Sequence, residues 1–507
     1  MSSDDSSLVH SLMRSGGLVF VGLVFEVAVL FVTKVLMARI LGPDQFGAVS
    51  LGLAVLTITS TLVLLGLNTG VSRFMPRDDD EAFTRGVLVS AMGIALPLAL
   101  ASAVVLAVFA PTIGTSVFDD PSTTPVLRVI AFVVPLSVLT KLSLGGIRGA
   151  KRTLPKVYLK NIVAPAARLL AVGGFLYVGW RAVGIAWAYL LSYAIAGLIG
   201  LYYLHRYTPL FSGDSYVWKH RELLTFSAPL VVSAAMALVF DKLDTLMLGY
   251  FGASSQVGIY NVVYPVAWAL LMMLNAFRYL FMPALSELHA RDAYDEMGRM
   301  YQMTTKWVFL TTLPPFLGLV LFPRQVLSFA FGPAYVEGAL ALVVLSLAFF
   351  THAVVGPNKE SLTSVGRTRL IMYDNALVAG TNVVLNLLLI PRFSYLGAAV
   401  ATALSYALLN VLYSAQLYRE TGIQPLSIDQ MRPGLIATVV LLLVYWPVTS
   451  RFGRGPVAMV LLVGVMAVVY PLVLYRFGRF EPEEISAYRQ IRGRFEGVSR
   501  VLDQFGL

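Results

Sequence analysis

The chain has 507 residues, of which 57% are hydrophobic and only 13% are charged, with a formal net charge of +10. A soluble globular protein carries about 25% charged residues. The composition therefore excludes an ordinary soluble protein and indicates a polytopic integral membrane protein. Cysteine is absent, which excludes disulfides, thiolate metal sites and cysteine nucleophiles.

The first 17 residues are polar and precede a long apolar run. A cleavable signal peptide has a basic start, a short apolar core and a small-residue cleavage site. Here Asp4 and Asp5 make the start acidic, and the apolar run is long. We therefore expect the first membrane span to be retained.

Fourteen apolar runs of helical length follow one another along the chain. A bilayer core about 30 Å thick needs about 20 apolar residues in each helix, and the runs match that length. Turn-forming pairs such as Gly42-Pro43 and Gly332-Pro333 separate several of them. We predict an all-α integral membrane protein with about fourteen transmembrane helices, at 17–40, 47–71, 86–110, 125–148, 157–179, 182–204, 223–249, 257–280, 304–331, 337–362, 370–390, 396–418, 433–451 and 456–477.

The distribution of basic residues tests this number of spans. With the N-terminus in the cytoplasm, 26 lysines and arginines fall in inner segments and six fall in outer loops. One missed span would scramble the alternation. The pattern predicts a multi-pass protein of the cell membrane with both termini cytoplasmic. It also accounts for the net charge of +10 without nucleic-acid binding.

The last segment, 479–507, has a different pattern. Apolar residues recur at spacings of three and four from Ile485 to Leu502, and arginines occupy much of the remaining surface. This periodicity predicts a basic amphipathic helix lying on the anionic cytoplasmic leaflet. A helix packed on the inner loops of its own protein is the alternative.

Spans one to six resemble spans seven to twelve. Both sets begin on the predicted cytoplasmic side, so the repeat is parallel, and two such lobes around a central cavity are a transporter arrangement. We predict an N-terminal lobe at 1–210, a C-terminal lobe at 211–420, two extra helices at 421–478 and the tail helix at 479–507. The matches include Gly184, Ala186, Ser192 and Tyr193 with Gly397, Ala399, Ser405 and Tyr406, and Met37 and Gly42 with Met247 and Gly252.

Each repeat contains a short motif, which is Met37–Gly47 with Gly66, Asn68 and Arg73 in the first and Asp244–Gly252 with Val257–Tyr260 in the second. These motifs resemble those of a known family, the Wzx-type polysaccharide flippases of the multidrug/oligosaccharidyl-lipid/polysaccharide (MOP) exporter superfamily. The resemblance covers about the whole chain, although Val49 stands where the family usually has an aromatic residue. It implies fourteen spans and the translocation of a polyprenyl-(pyro)phosphate-linked oligosaccharide from the inner to the outer leaflet.

Charges inside the predicted spans are distributed unevenly between the lobes. A charge at mid-bilayer costs about 2.5–3.5 kcal/mol on insertion scales, so such residues should face a cavity or one another. The N-terminal lobe is therefore expected to be cationic inside and the C-terminal lobe mildly acidic. The embedded charges are Glu26, Lys34, Arg128, Lys141, Lys160 and Arg168 in the first lobe, and Asp241, Lys242, Asp244 and Asp374 in the second.

Several of these cations are candidates for binding the substrate phosphate. Lys141, Arg148 and Arg152 are spaced by seven and four, which predicts one basic stripe leading to the cytoplasmic mouth. Lys34 lies closer to the outer side. We expect these side chains to pass the phosphate from the mouth to the outer leaflet.

Span five adds a polar face on which Asn161 and Arg168 lie seven residues apart. A guanidinium offers planar, bidentate recognition of phosphate, so we expect this face to contact the substrate. In the second repeat, an offset of 214 leads from these residues to Asn375 and Asn382. The alternative is that Arg168 forms an intramembrane ion pair with Glu26 that holds spans one and five together.

Asp241 and Asp244, three residues apart on span seven, are candidates for ion coupling. They could carry a proton or Na⁺ that drives transport, or they could neutralise Lys242 or Lys34. No cofactor is expected beyond such coupling to a proton or Na⁺ gradient. The expected partners are a lipid-linked oligosaccharide, membrane lipids and glycan-assembly enzymes, without nucleic acid.

Other classes of protein stay open at this point. A multidrug–cation antiporter of the same superfamily would need an acidic cavity. A membrane-embedded glycosyltransferase or polymerase would need a larger outer loop, and the pair Asp119-Asp120 reads more simply as a turn. We expect a transporter rather than an enzyme, and a structural or receptor role is opposed by the repeat.

Overall fold

The computed structural model describes residues 3–78, 80–211, 216–424 and 428–477. Within these ranges the regular structure is entirely helical. The α-helices are α1 Ser3–Leu64, α2 Leu67–Phe74, α3 Glu81–Thr112, α4 Thr123–Gly149, α5 Thr153–Val157, α6 Ala164–Tyr177, α7 Arg181–Tyr207, α8 His220–Phe251, α9 Ser254–Trp268, α10 Met272–Ala290, α11 Tyr294–Leu321, α12 Pro323–Phe331, α13 Ala339–Val355, α14 Asn358–Ser364, α15 Thr368–Thr421, α16 Ile428–Phe452 and α17 Pro456–Phe477.

Two of the long helices are broken in the middle. Helix α1 leaves helical geometry at Gly42, where φ is 73°, and Pro43 follows. Glycine tolerates this left-handed backbone and proline disfavours helix continuation, so the predicted Gly42-Pro43 boundary is confirmed. Helix α15 breaks at Ser394, three residues after the predicted breaker Pro391.

These breaks bring the number of membrane crossings close to the predicted one. Eleven helices in the described ranges are long and apolar enough to cross a bilayer, and α8, bent by 53°, gives a twelfth. Each half of α1 and α15 is itself long enough to span. Counting those two helices twice gives fourteen crossings. The predicted all-α, multi-pass membrane fold is confirmed.

The described chain contains two compact units. One unit comprises the described residues within 1–269, 323–349 and 369–411, and the other comprises the described residues within 270–322, 350–368 and 412–507. The predicted lobe boundaries stay a prediction. The predicted tail helix at 479–507 lies outside the described residues.

Helix α4 is the central helix of the first unit. Two thirds of its most apolar window (67%) is buried, against 22% for α3. A helix that is apolar on every side is suited to burial among other helices rather than to lipid contact on one face. Its residues Val133 and Val138 are fully buried within the large apolar cluster of this unit.

In the second unit, α16 and α17 pack on α11. Gly434 permits the approach of α16, because a Cβ atom there would lie 2.5 Å from the ring of Phe309. The hydroxyl of Tyr470 donates a hydrogen bond to the carbonyl of Leu310. The helices that follow the predicted repeat are thus part of a packed apolar cluster.

A reciprocal contact in the first unit joins the start of the second half of α1 to α9. A Cβ at Gly47 would lie 1.7 Å from the carbonyl oxygen of Ser254, and a Cβ at Gly258 would lie 2.1 Å from that of Pro43. An offset of 211 residues relates Gly47 to Gly258 and also Pro43 to Ser254. Gly47 therefore packs on Ser254, which is the repeat counterpart of Pro43, and Gly258 packs on Pro43 itself. A contact exchanged in this way between two copies is typical of a twofold relation.

Candidate functional site

A pocket of about 310 Å³ lies inside the first unit, and its walls carry three basic side chains. Lys34 comes from α1, Arg168 from α6 and Lys242 from α8. Hydroxyl, amide and apolar groups complete the lining. These are Leu30, Thr33, Met37, Phe46, Ser50, Leu53, Ala54, Leu56, Thr57, Tyr189, Tyr193, Thr245 and Asn261.

Arg168 is held against two tyrosines of the neighbouring helix α7. Its Cζ atom lies 4.5 Å from the ring centroid of Tyr189 and 5.5 Å from that of Tyr193. Both distances are within the range of a cation–π contact, which is stronger where water is excluded. The Nε atom of Arg168 is buried and has no hydrogen-bond partner among the described residues.

Lys242 has an acidic neighbour at the pocket. Its Nζ atom lies 3.1 Å from Oδ2 of Asp241, whose side chain is 60% exposed. Asp241 supplies one negative charge beside three basic side chains, so it offsets only part of the positive charge. Lys34 and Arg168 leave the pocket net positive.

Glu26 has partners other than Arg168, its partner in the alternative interpretation. Its Oε2 atom accepts a hydrogen bond of 2.6 Å from Nδ2 of Asn161 and lies 4.0 Å from Nζ of Lys160. Asn161 belongs to a π-helical stretch, Tyr158–Val163, whose wider turn changes the facing of residues across it. The structure therefore separates Asn161 from the pocket that Arg168 lines, and the spacing of seven did not bring them to one site.

Two of the three members of the predicted basic stripe, Lys141 and Arg148, lie on one helix, α4. Lys141 donates a 2.8 Å hydrogen bond to Oγ of Ser60, and Arg148 donates to Oγ of Ser72. Helix α4 ends at Gly149, so Arg152 does not continue its face, and helical spacing does not apply to it. The guanidinium of Arg152 lies 5.2 Å from the ring centroid of Tyr207 instead.

Asp241 and Asp244 do not share an environment, although they are three residues apart. Asp244 is only 5% exposed, and three neutral side chains donate hydrogen bonds to it. These are the Tyr260 hydroxyl at 2.6 Å, Nδ2 of Asn386 at 2.7 Å and the Thr402 hydroxyl at 2.9 Å. Buried carboxylates are stabilised by such donors. Among the described residues no group of three or more histidine or carboxylate side chains converges on a metal site.

The cationic pocket and the Asp244 cluster use equivalent positions of the two repeats. The offsets of 210 and 214 found in the sequence relate Lys34 to Asp244 and Arg168 to Asn382. Asn382 lies beside this cluster, because its Oδ1 accepts a 3.0 Å hydrogen bond from Asn386. The chain thus contains two versions of one site, one cationic and one acidic.

The tyrosines of the pocket were not predicted from the sequence. Tyr189 and Tyr193 are four residues apart on one helical face, which was the available signal. Lys242 was also not predicted to line the pocket. Neither Tyr260 nor Thr402 was predicted to donate a hydrogen bond to the buried carboxylate of Asp244.

Two solved transporter structures resemble this fold. "Lipid II flippase MurJ, inward closed conformation" superposes with a TM-score of 0.71 at 12% identity, covering 91% of this chain and 98% of that one. An inward-facing MATE family multidrug transporter of the MOP superfamily gives 0.64 at 13% identity, covering 78% and 94%. The chain has the fold of the MOP-superfamily transporters.

Sequence comparison places the chain within this class. The profile of the polysaccharide biosynthesis protein family matches residues 12–289, more than half of the chain, so the chain belongs to that family. It is 25% identical over 414 residues to the "Probable low-salt glycan biosynthesis flippase Agl15" of Haloferax volcanii, which covers 80% of this chain and 83% of that one. The resemblance to polysaccharide flippases of the MOP superfamily is confirmed.

Proposed function

We propose that this protein flips a polyprenyl-(pyro)phosphate-linked oligosaccharide from the cytoplasmic to the outer leaflet by alternating access between its repeats. One observation carries the proposal: Lys34 and Arg168 converge on a single polar pocket inside a membrane-spanning unit. The flippase name of its relative supports the substrate class.

A cationic pocket suits a lipid-linked phosphate for an electrostatic reason. Moving a phosphate from water into a low-dielectric site is costly unless fixed positive groups replace the lost hydration. Charge-assisted hydrogen bonds to Arg168 and Lys34 would supply that replacement. The hydroxyls of Ser50, Thr57 and Thr33 donate to backbone carbonyls of their own helix, so their oxygens would serve as acceptors for sugar hydroxyls.

The remaining basic residues would form the route to this pocket. Arg148 and Arg152 would gather the headgroup at the cytoplasmic mouth, and Lys141 would follow. Arg168 would hold the phosphate in the pocket, and Lys34 would release it toward the outer leaflet. Asn161 and Glu26 would orient span five along this route through their hydrogen bond.

The buried carboxylate of Asp244 is our candidate for ion coupling. The Oδ1 atom of its neighbour Asn386 is buried without a donor among the described residues. An acceptor oxygen of this kind beside a carboxylate favours a small cation, Na⁺ or H⁺. Asp241, exposed and paired with Lys242, would act on the pocket rather than on the ion.

The direct test is flipping in liposomes that contain the purified full-length protein. The probes are a fluorescent short-chain polyprenyl phosphate hexose and its diphosphate analogue. Their arrival in the outer leaflet is measured by the quenching of their fluorescence there. Arg168→Ala should abolish flipping while the protein still inserts. Arg168→Lys should recover part of it, because the bidentate fork is lost. Flipping by Arg168→Ala at the wild-type rate would overturn the proposal.

The role of Glu26 needs a separate double variant. If Arg168 served only to pair with Glu26, then Glu26→Gln together with Arg168→Gln would restore flipping lost in the single variants. Since Glu26 contacts Asn161 and Lys160 instead, we expect the double variant to stay inactive.

The pocket also bears on the alternative functions. Three basic groups with one aspartate beside them disfavour the binding of an organic cation. A multidrug antiporter would have to bind such a cation. Measuring sugar-nucleotide turnover in the same vesicles would separate a glycosyltransferase from a flippase.

A further inference from the structure

The rings of Tyr189 and Tyr193 form an aromatic cradle under the guanidinium of Arg168. The cradle follows from a tight hairpin of α6 and α7. The chain reverses at Gly179, where φ is 85°, and a Cβ at Gly184 would lie 3.1 Å from Cβ of Phe175. The two helices therefore run close together, and a side chain of α6 reaches the aromatic face of α7.

The cradle limits the freedom of a long side chain. A free arginine samples many rotamers, and binding must order it at a cost in entropy. Contacts of 4.5 and 5.5 Å to two ring centroids place the guanidinium before any ligand arrives.

The second repeat shows which ring accompanies the arginine. At an offset of 213, Tyr193 corresponds to Tyr406, while Tyr189 corresponds to Thr402. Arg168 corresponds to Asn382 at an offset of 214. One ring is thus present with or without the arginine, and the closer ring is present only in the repeat that holds it.

We propose that Tyr189 and Tyr193 are positioning residues that hold Arg168 oriented for a phosphate group in the pocket. This inference rests on the proposed function and adds to it the residues that orient the phosphate contact. In this proposal the tyrosines act only through Arg168, and they do not themselves bind the phosphate.

The test measures binding of farnesyl phosphate to the purified full-length protein by calorimetry. Tyr189→Leu removes the ring and should weaken binding about tenfold, the scale of one partly desolvated cation–π contact. Tyr189→Phe keeps the ring and should stay within about threefold of wild type. Tyr202→Leu, the same change on an exposed position of α7, is the matched control.

A double-mutant cycle distinguishes positioning from a general effect on the fold. In the Arg168→Gln background, Tyr189→Leu should cause no further loss, because the ring has no guanidinium left to hold. An equal loss in both backgrounds would show that Tyr189 acts on the fold, and it would overturn the inference. The Tyr193 variants are expected to follow the same pattern with a smaller loss, since that ring is farther away.

The outcomes also separate this inference from the proposed function. If Arg168→Gln binds farnesyl phosphate as tightly as wild type, the phosphate role of the pocket fails, and the positioning role fails with it. If Arg168→Gln weakens binding and Tyr189→Leu does not, only the positioning role fails. Melting temperatures of all variants show whether each remains folded.

Discussion

The two repeats surround a buried charge with different kinds of side chain. Around Arg168 the chain provides aromatic faces and leaves an open pocket of about 310 Å³. Around Asp244 it provides three fixed donors, and the carboxylate is only 5% exposed. We propose a phosphate group as the ligand of the first arrangement and a small cation or a proton as the ligand of the second.

Few substitutions separate the cationic site from the acidic site. Lys34 and Arg168 occupy positions that hold Asp244 and Asn382 in the other repeat. The sequence positions correspond, so the difference in charge resides in the side chains at those positions. Exchanging those side chains is therefore the most direct way to test what each site does.

The largest effect is expected when the first site is given the residues of the second. Arg168→Asn with Tyr189→Thr should lower the initial flipping rate in liposomes about a hundredfold, because charge-assisted hydrogen bonds to phosphate are lost. Tyr202→Thr on the exposed side of α7 is the control. A double variant that keeps half of the wild-type rate would show that the charge difference is not functional.

A smaller effect is expected from neutralising the second site. Asp244→Asn should lower flipping driven by an imposed Na⁺ or proton gradient about tenfold, the usual scale of coupling between sites. Binding of farnesyl phosphate should stay within about twofold, because the pocket is untouched. Asp241→Asn is the matched control three residues away, and it should retain the response to the gradient. Equal losses in both variants would contradict the assignment.

The reciprocal glycine contact gives a still smaller effect, on stability. Gly47→Ala and Gly258→Ala should each lower the melting temperature by several degrees, since overpacking costs about 1–3 kcal/mol. Gly173→Ala on α6 has no atom within 4 Å of the added Cβ, and it should be neutral or slightly stabilising. Unchanged melting in all three variants would show that the two segments separate easily.

The smallest change to the protein is expected from single cysteines that report on its orientation in the membrane. The prediction that the repeat is parallel depends on this orientation. Cysteines at Ser122 and Phe393 should react with an impermeant maleimide from outside, and those at Thr153 and Ser364 should not. All four sites are at least partly exposed. Ser254 is a poor reporter, because it is 6% exposed and donates to Asp120. Outside labelling at Thr153 would contradict the fourteen-span topology.

Sequence patterns predicted the helices and most of their ends. Lipid contact imposes long apolar runs, and breakers such as Gly42-Pro43 act locally, so both leave a signal in the sequence. The turn at Asp119 is likewise local, with φ of 46°. Patterns of this kind do not require knowledge of which helices are neighbours.

The candidate site was predicted less completely, because it depends on contacts between helices. The π-helical stretch around Asn161 and the end of α4 before Arg152 changed the facing that regular spacing implied. Tyr189 reaches Arg168 only through the hairpin of α6 and α7. No charge pattern marks an aromatic ring as the partner of a cation across two helices.

The packing of Gly47 on Ser254 and of Gly258 on Pro43 has the form of a contact between two identical subunits. A chain that makes it internally has the geometry of a dimer joined into one polypeptide. In a homodimer both subunits share a single gene, so an arginine at one site requires an arginine at the other. Joining the copies removes that restriction. Only then can one half hold Arg168 while the other holds Asn382 at the corresponding position.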